Sequence, residues 1–190
     1  GGKEYRWADL RSFRFESERV QKINKNNQPN DVYLKPDGER RGLIYTYFKD
    51  LNGWYNISST ENNNPFWQSD YANVYFTYIP TNNQPYLGKD LFLSGAIMNN
   101  TLNDSSKMIF NNEKGLYEKT LLLKQGYYSY TYVTKEKSSR AAIADVLETD
   151  GSFWETENDY CIFVYFRSLS GRHDELVGFT TINSRGGRSF

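Results

Sequence analysis

Apolar and polar residues alternate with period two along segment after segment of this chain, and that period belongs to strands, not helices. ANVYFTYIP carries it from Ala72 to Ile79, and Pro80 ends the run. GYYSYTYVT, directly after Gln125-Gly126, sets Tyr128, Tyr130 and Tyr132 on one face and Ser129 and Thr131 on the other. This is the pattern of a half-buried strand with its rings inward, and core packing is preferred over a ligand-binding face. Composition agrees. Aromatics reach 17%, led by 16 Tyr and 12 Phe, which favour strands, while Asn recurs where turns are expected. The fold class expected is all-β.

Residues 1–69 read as a smaller β-rich part, an incomplete middle domain. DLRSFRFESERV places Leu10, Phe13 and Phe15 near one face. DVYLKPDGERRGLIYTYF reads as strand, turn, strand, with Pro36, Asp37 and Gly38 supplying the turn. Asn52-Gly53 is a hairpin signal. STENNNPFWQSD, residues 59–70, is polar, contains Pro65 and reads as a linker, so a boundary is placed between residues 69 and 70. From residue 70 to 190, seven strands joined by turns match the count of an antiparallel immunoglobulin-like sandwich. The one segment with helical character is SSRAAIADVLE, where a helical turn or two and a long loop both fit.

Lys plus Arg and Asp plus Glu number 23 each, so the chain lacks the basic surplus of a nucleic-acid coat. No apolar run approaches the roughly 20 residues of a membrane helix, and no direct membrane insertion is expected. One cysteine excludes an internal disulfide, and Cys161 reads as buried and unreactive. The opening GGKEYRW shows no signal peptide and reads as a tag scar or a cut site, which leaves export undecided. The lone His173 reads as a turn residue in solvent. Asp145, Glu148 and Asp150 lack calcium-loop spacing and read as a solvated acidic loop. No catalytic residue, cofactor or metal is implied. Trp7 and Trp54 read as core or inter-sheet packing. Phe66 with Trp67, and Phe153 with Trp154, are aromatic pairs in loop-like text that either anchor a partner or, preferentially, staple two parts together.

DLFLSGAIMNN, KMIFNNEKGLYEKTLLLKQGYYSYTYV resembles the strand sequence of glycogen-binding modules and related early-set immunoglobulin-like domains. Gly95, Met108, Tyr117, Leu121, Gly126, Tyr128 and Tyr130 match, all at structural positions. The loop IMNNTLND has no tryptophan where those modules bind sugar. The resemblance therefore implies the early-set fold and no binding of linear glucans.

A second resemblance spans nearly the whole chain. DLRSFRFESERVQKI, DLNGWYNI, DYANVYFTY and GSFWETENDYCIFVYFRSLSGRHDELVGFTTIN are similar to the later part of the plug protein family of the Bacteroidota type IX secretion system. The most specific block holds Thr156, Glu157, Asn158, Tyr160, Val164, Tyr165, Arg167, Asp174, Leu176, Gly178 and Asn183. That family is longer at its N-terminus and carries a secretory signal. The resemblance implies a non-enzymatic periplasmic protein, associated with the outer-membrane translocon barrel, that closes the barrel's periplasmic opening. No small-molecule ligand is expected, and the alternative function is a carbohydrate-binding module. Partner contacts are expected at Phe66, Trp67, Phe153, Trp154 and Tyr165. DYCIFVYF is apolar on both faces and is expected to be a central strand covered on both sides, Tyr165 being the partner surface if it is not.

Overall fold

The computed structural model describes residues 1–138 and 143–186. It is nearly all β and divides into two compact units, Gly2–Phe153 and Trp154 onward with Gly1. In chain order the first unit holds β1 (Arg6–Asp9), β2 (Val20–Asn24), β3 (Asn30–Leu34), β4 (Asp37–Gly38) and β5 (Tyr55–Asn56). A one-turn helix α1 (Pro65–Gln68) follows, then β6 (Tyr71–Ile79), β7 (Lys89–Ser94), β8 (Ile109–Asn111), β9 (Leu116–Lys124) and β10 (Tyr127–Glu136). The second unit is a hairpin of β11 (Asp159–Phe166) and β12 (Glu175–Asn183). Among the described residues no helix is long and apolar enough to cross a membrane.

The first unit is a sandwich. One sheet runs β2-β3-β6-β9-β8, with β4 also on β6; the other gathers β1, β5 and β7 around β10. Most pairings are antiparallel, but β3 and β4 both run parallel to β6. The boundary expected between residues 69 and 70 falls inside this unit, because β3 pairs with β6 and β1 with β10 across it. The actual division comes between Phe153 and Trp154. Residues 59–70 are polar because they cross the sandwich surface, not because they link two domains.

The alternation in β6 is realised as read: Ala72, Val74, Phe76 and Tyr78 are buried and the residues between them are not. Tyr128, Tyr130 and Tyr132 point into the same core. Tyr130 meets Phe76 edge-on at 5.1 Å between ring centroids, and Tyr132 lies 4.8 Å from Tyr78. Ser129 and Thr131 are buried as well, so β10 is covered on both faces instead of half-buried. Its second cover is irregular chain: Leu51 N donates to Ser129 Oγ at 3.2 Å, and Thr149 Oγ1 donates to the Tyr132 carbonyl at 2.7 Å. Small hydroxylated side chains suit this face because backbone can approach them closely and be hydrogen-bonded.

Several local readings change. Phe15 is exposed although Leu10 and Phe13 are core, because the chain leaves the extended pattern after β1. LIYTYF forms no strand. It is held by side chains instead of a ladder: Lys3 Nζ donates to the carbonyls of Leu43 and Ile44, and Tyr45 bonds Glu4. Asp37-Gly38 forms β4 in place of a turn. Asn52-Gly53 does turn, with both φ positive and Trp54 N donating to Leu51 O at 2.8 Å. A Cβ on Gly53 would meet the Tyr5 ring at 2.7 Å. The described part of SSRAAIADVLE contains no helix, and its residues 139–142 lie outside the described residues.

In the second unit β11 and β12 pair through eight positions, with a bulge in β12 at Val177. Neither strand has another strand partner among the described residues. The covered central strand expected at Asp159–Phe166 is instead exposed along its whole length. Cys161 is exposed with it, which corrects the reading of a buried thiol.

Candidate functional site

The buried polar centre of the sandwich is saturated. Asp37 Oδ2 accepts from Tyr130 OH at 2.9 Å and Tyr132 OH at 3.0 Å, while Oδ1 pairs with Arg6 at 3.3 Å and with Arg19. Asp150 pairs with Arg6 at 2.9 Å and Arg40 at 2.7 Å and accepts from Thr131 Oγ1 at 3.0 Å. Burial raises the Asp150 carboxyl, but the Arg40 hydrogen bond and the Arg6 and Arg40 charges outweigh it and hold it below the usual carboxylate range. Burial first, and the Asp37 charge second, push the phenols of Tyr130 and Tyr132 well above their ordinary value, so both stay protonated donors. Glu148 pairs with Lys89 and Arg41. Asp150 and Glu148 are therefore ion-pair partners, not members of a solvated acidic loop. Asp37 and Asp150 are buried, with both oxygens of each carboxylate engaged by arginine or hydroxyl donors, whereas Glu148 is partly exposed.

His173 is exposed, with Nε2 3.6 Å from Glu175 Oε1, as a turn residue should be. Among the described residues no group of three or more His, Cys, Asp or Glu is placed to hold a metal ion.

The surface offers more. Asn64 Oδ1 accepts from Phe66 N at 3.2 Å and Pro65 starts the turn, which fixes α1 at the end of the crossing segment. Phe66 and Trp67 project from it, 69% and 86% exposed. They do not staple two parts. The segment is anchored by polar contacts instead. Glu61 accepts from Ser12 Oγ and from the backbone N–H groups of Phe13 and Arg14, and Gln125 Nε2 donates to it at 3.1 Å. Gln125 Oε1 in turn accepts from Asp70 N. Burial raises the Glu61 carboxyl, and these hydrogen bonds outweigh it, leaving it below its ordinary value. Lys124 Nζ donates to the Phe66 carbonyl and sits 5.7 Å from the centre of the exposed Tyr71 ring. The aromatic pair is thus presented from a pinned support.

At the Asn52-Gly53 turn, Trp54 is 66% exposed, which corrects its reading as packing, and Tyr55 stacks on Tyr128 at 5.4 Å. Trp54, Tyr55, Ala96, Asn99 and Asn100 line a shallow cleft. Trp7 is partly buried against Phe48 at 5.2 Å. Phe153 is half-buried in the first unit, its ring 5.8 Å from Tyr45 and under Lys3 Nζ at 4.5 Å. Trp154 is exposed in the second unit and lines a shallow cleft with Glu155, Thr156, Ser184 and Arg185. Tyr165 is exposed on β11. Of the five expected partner contacts, Phe66 and Trp67 stand together on the sandwich, and Trp154 and Tyr165 belong to the other unit.

Sequence reasoning missed Asp37, Arg6 and Asp150. Pro-Asp-Gly reads as a turn, and nothing local marks an aspartate whose partners lie tens of residues away. It also missed Trp54, although an aromatic directly after a tight Asn-Gly turn was a signal of exposure.

No family model matches this chain, and no curated protein matches it. Among solved structures it is similar to the crystal structure of a hypothetical protein from Parabacteroides merdae ATCC 43184, with a TM-score of 0.85 and 33% identity. The match covers 96% of this chain, and the chain spans 45% of the length of that protein.

Proposed function

We propose that this chain is part of a non-enzymatic periplasmic plug that docks on the outer-membrane translocon of a type IX secretion system and occludes its periplasmic opening. The observation that carries the reading is the exposed Phe66–Trp67 pair on a support pinned by Glu61 and Lys124. Large aromatics held rigidly in solvent lose little freedom on binding and bury much area, as anchors of protein interfaces do. The similarity of the TENDY and VYFR block to the plug family supports the same assignment. The saturated carboxylates at the centre of the sandwich support the non-enzymatic part.

Replacing Phe66 and Trp67 together by Ala is expected to abolish capture of the translocon barrel from an outer-membrane extract. The melting temperature should hold, since exposed substitutions cost within about 0.5 kcal/mol. Undiminished capture by the double variant would sink the assignment of the docking residues.

One observation favours a second reading, a carbohydrate-binding module: Trp54 stands exposed beside Asn99 and Asn100, giving the tryptophan-free loop an aromatic neighbour. Calorimetric titration with linear α- and β-glucans decides between them. The plug reading expects no measurable heat, and micromolar affinity that vanishes in Trp54→Ala would establish the module.

A further inference from the structure

The β11–β12 hairpin carries an unusual surface. Ten of its large apolar side chains are each 42–61% exposed. Tyr160, Ile162 and Val164 share one face with Ile182, and Phe163 and Tyr165 share the other with Phe179 and Leu176. Phe163 lies 5.1 Å from Phe179 and 6.5 Å from Tyr165 between ring centroids. In β6, by contrast, the buried Ala72, Val74, Phe76 and Tyr78 alternate with partly exposed residues, so one face alone is core. A strand apolar on both faces belongs to a sheet covered on both. Two strands alone are marginal in water, and three or more with a packed face are needed for independent stability. At about 200 Å² for each large side chain, half-exposed, the ribbon shows on the order of 1,000 Å² of apolar surface, about 500 Å² on each of two opposite faces, where a typical monomer has one patch of that size.

The candidates for its cover differ in what they can satisfy. A second copy related by a two-fold axis would bury the same face of both hairpins and leave the other face of each bare. A single added strand would close one edge and cover no face. Layers on both faces, with strands at the edges, are required, and the similar protein has polypeptide to supply them: more than half of that chain lies outside the match.

We propose that β11 and β12 are two strands of a larger sheet, and that polypeptide of the same protein beyond these 190 residues supplies both the neighbouring strands of that sheet and the layers packed on its two faces. Tyr165 is then a core residue of that larger unit, not a partner contact. The inference does not rest on the docking role of Phe66 and Trp67.

The test compares this 190-residue chain with the natural protein isolated from its source by an antibody to the sandwich. The natural protein is expected to exceed 22.2 kDa. Its amides in Tyr160–Phe166 and Leu176–Ile182 should exchange hydrogen at least ~100-fold more slowly than those of the 190-residue chain. Val164→Lys on one face and Phe163→Lys on the other, introduced separately in the natural gene, should each abolish that protection and leave β6 and β10 protected. A natural protein of 22.2 kDa, or equally fast exchange in both forms, overturns the proposal. So does hairpin protection that appears in the 190-residue chain alone, rises with its concentration and accompanies a dimer in sedimentation, since the cover is then a second copy. Loss of protection with only one of the two lysines also overturns it, because only one face is then covered.

Discussion

Asp37 holds two phenol hydroxyls and two guanidinium groups with one carboxylate, and it is almost out of contact with water. Deleting it leaves Arg6 short of one anion and strands Tyr130 and Tyr132 as buried donors. Asp37→Ala is expected to lower the stability of the sandwich by about 3–5 kcal/mol, the range for breaking a buried ion pair from one side. Asp37→Asn keeps an acceptor for the hydroxyls and should cost less. Urea denaturation followed by tyrosine and tryptophan fluorescence measures both, and equal losses for the two variants would show that the charge, not the hydroxyl bonds, dominates.

The crossing segment 59–70 shows how an element without regular structure is fixed. Its backbone is held by Glu61 and Gln125 more than by apolar burial, since Phe66 and Trp67 point outward. Glu61→Ala should therefore loosen this segment while the sheets persist. Limited proteolysis is expected to nick the variant between residues 59 and 70 well before the parent chain, with the residue 71–136 strands still intact. An unchanged digestion pattern would place the anchoring elsewhere.

For the whole molecule, the carboxylates held below their ordinary values contribute to the response to acid, Asp150 and Glu61 among them with Asp9, Asp31, Glu39 and Glu118. The fold favours their charged forms over what the unfolded chain does. Their stabilisation is fully present above the unfolded values of about 3.9 and 4.3 and is lost as pH falls through the lower folded values. The melting temperature of the sandwich should fall below pH ~4, and the fall should be shallower in Glu61→Gln, which has one fewer proton to take up. A melting profile flat down to pH 2 would contradict this assignment of the charged groups.

The strands of the sandwich core were legible in the sequence because a period of two needs no knowledge of neighbours. Each of β6 and β10 announces its own inward face, and the turn at Asn52-Gly53 announces its own φ values. What a segment packs against is a different kind of fact. The second cover of β10, the strand pairing across residue 70 and the arginines that neutralise Asp37 and Asp150 are contacts between residues far apart in the chain, and no local pattern encodes the partner. The exposed pair Phe66–Trp67 and the buried pair Tyr130–Tyr132 are composed of the same apolar chemistry. The sequence by itself determined that both would be aromatic and that the chain would be β. Only the tertiary structure decided which rings face the core and which face water, because burial is set by the surface that arrives opposite a residue and not by the residue alone.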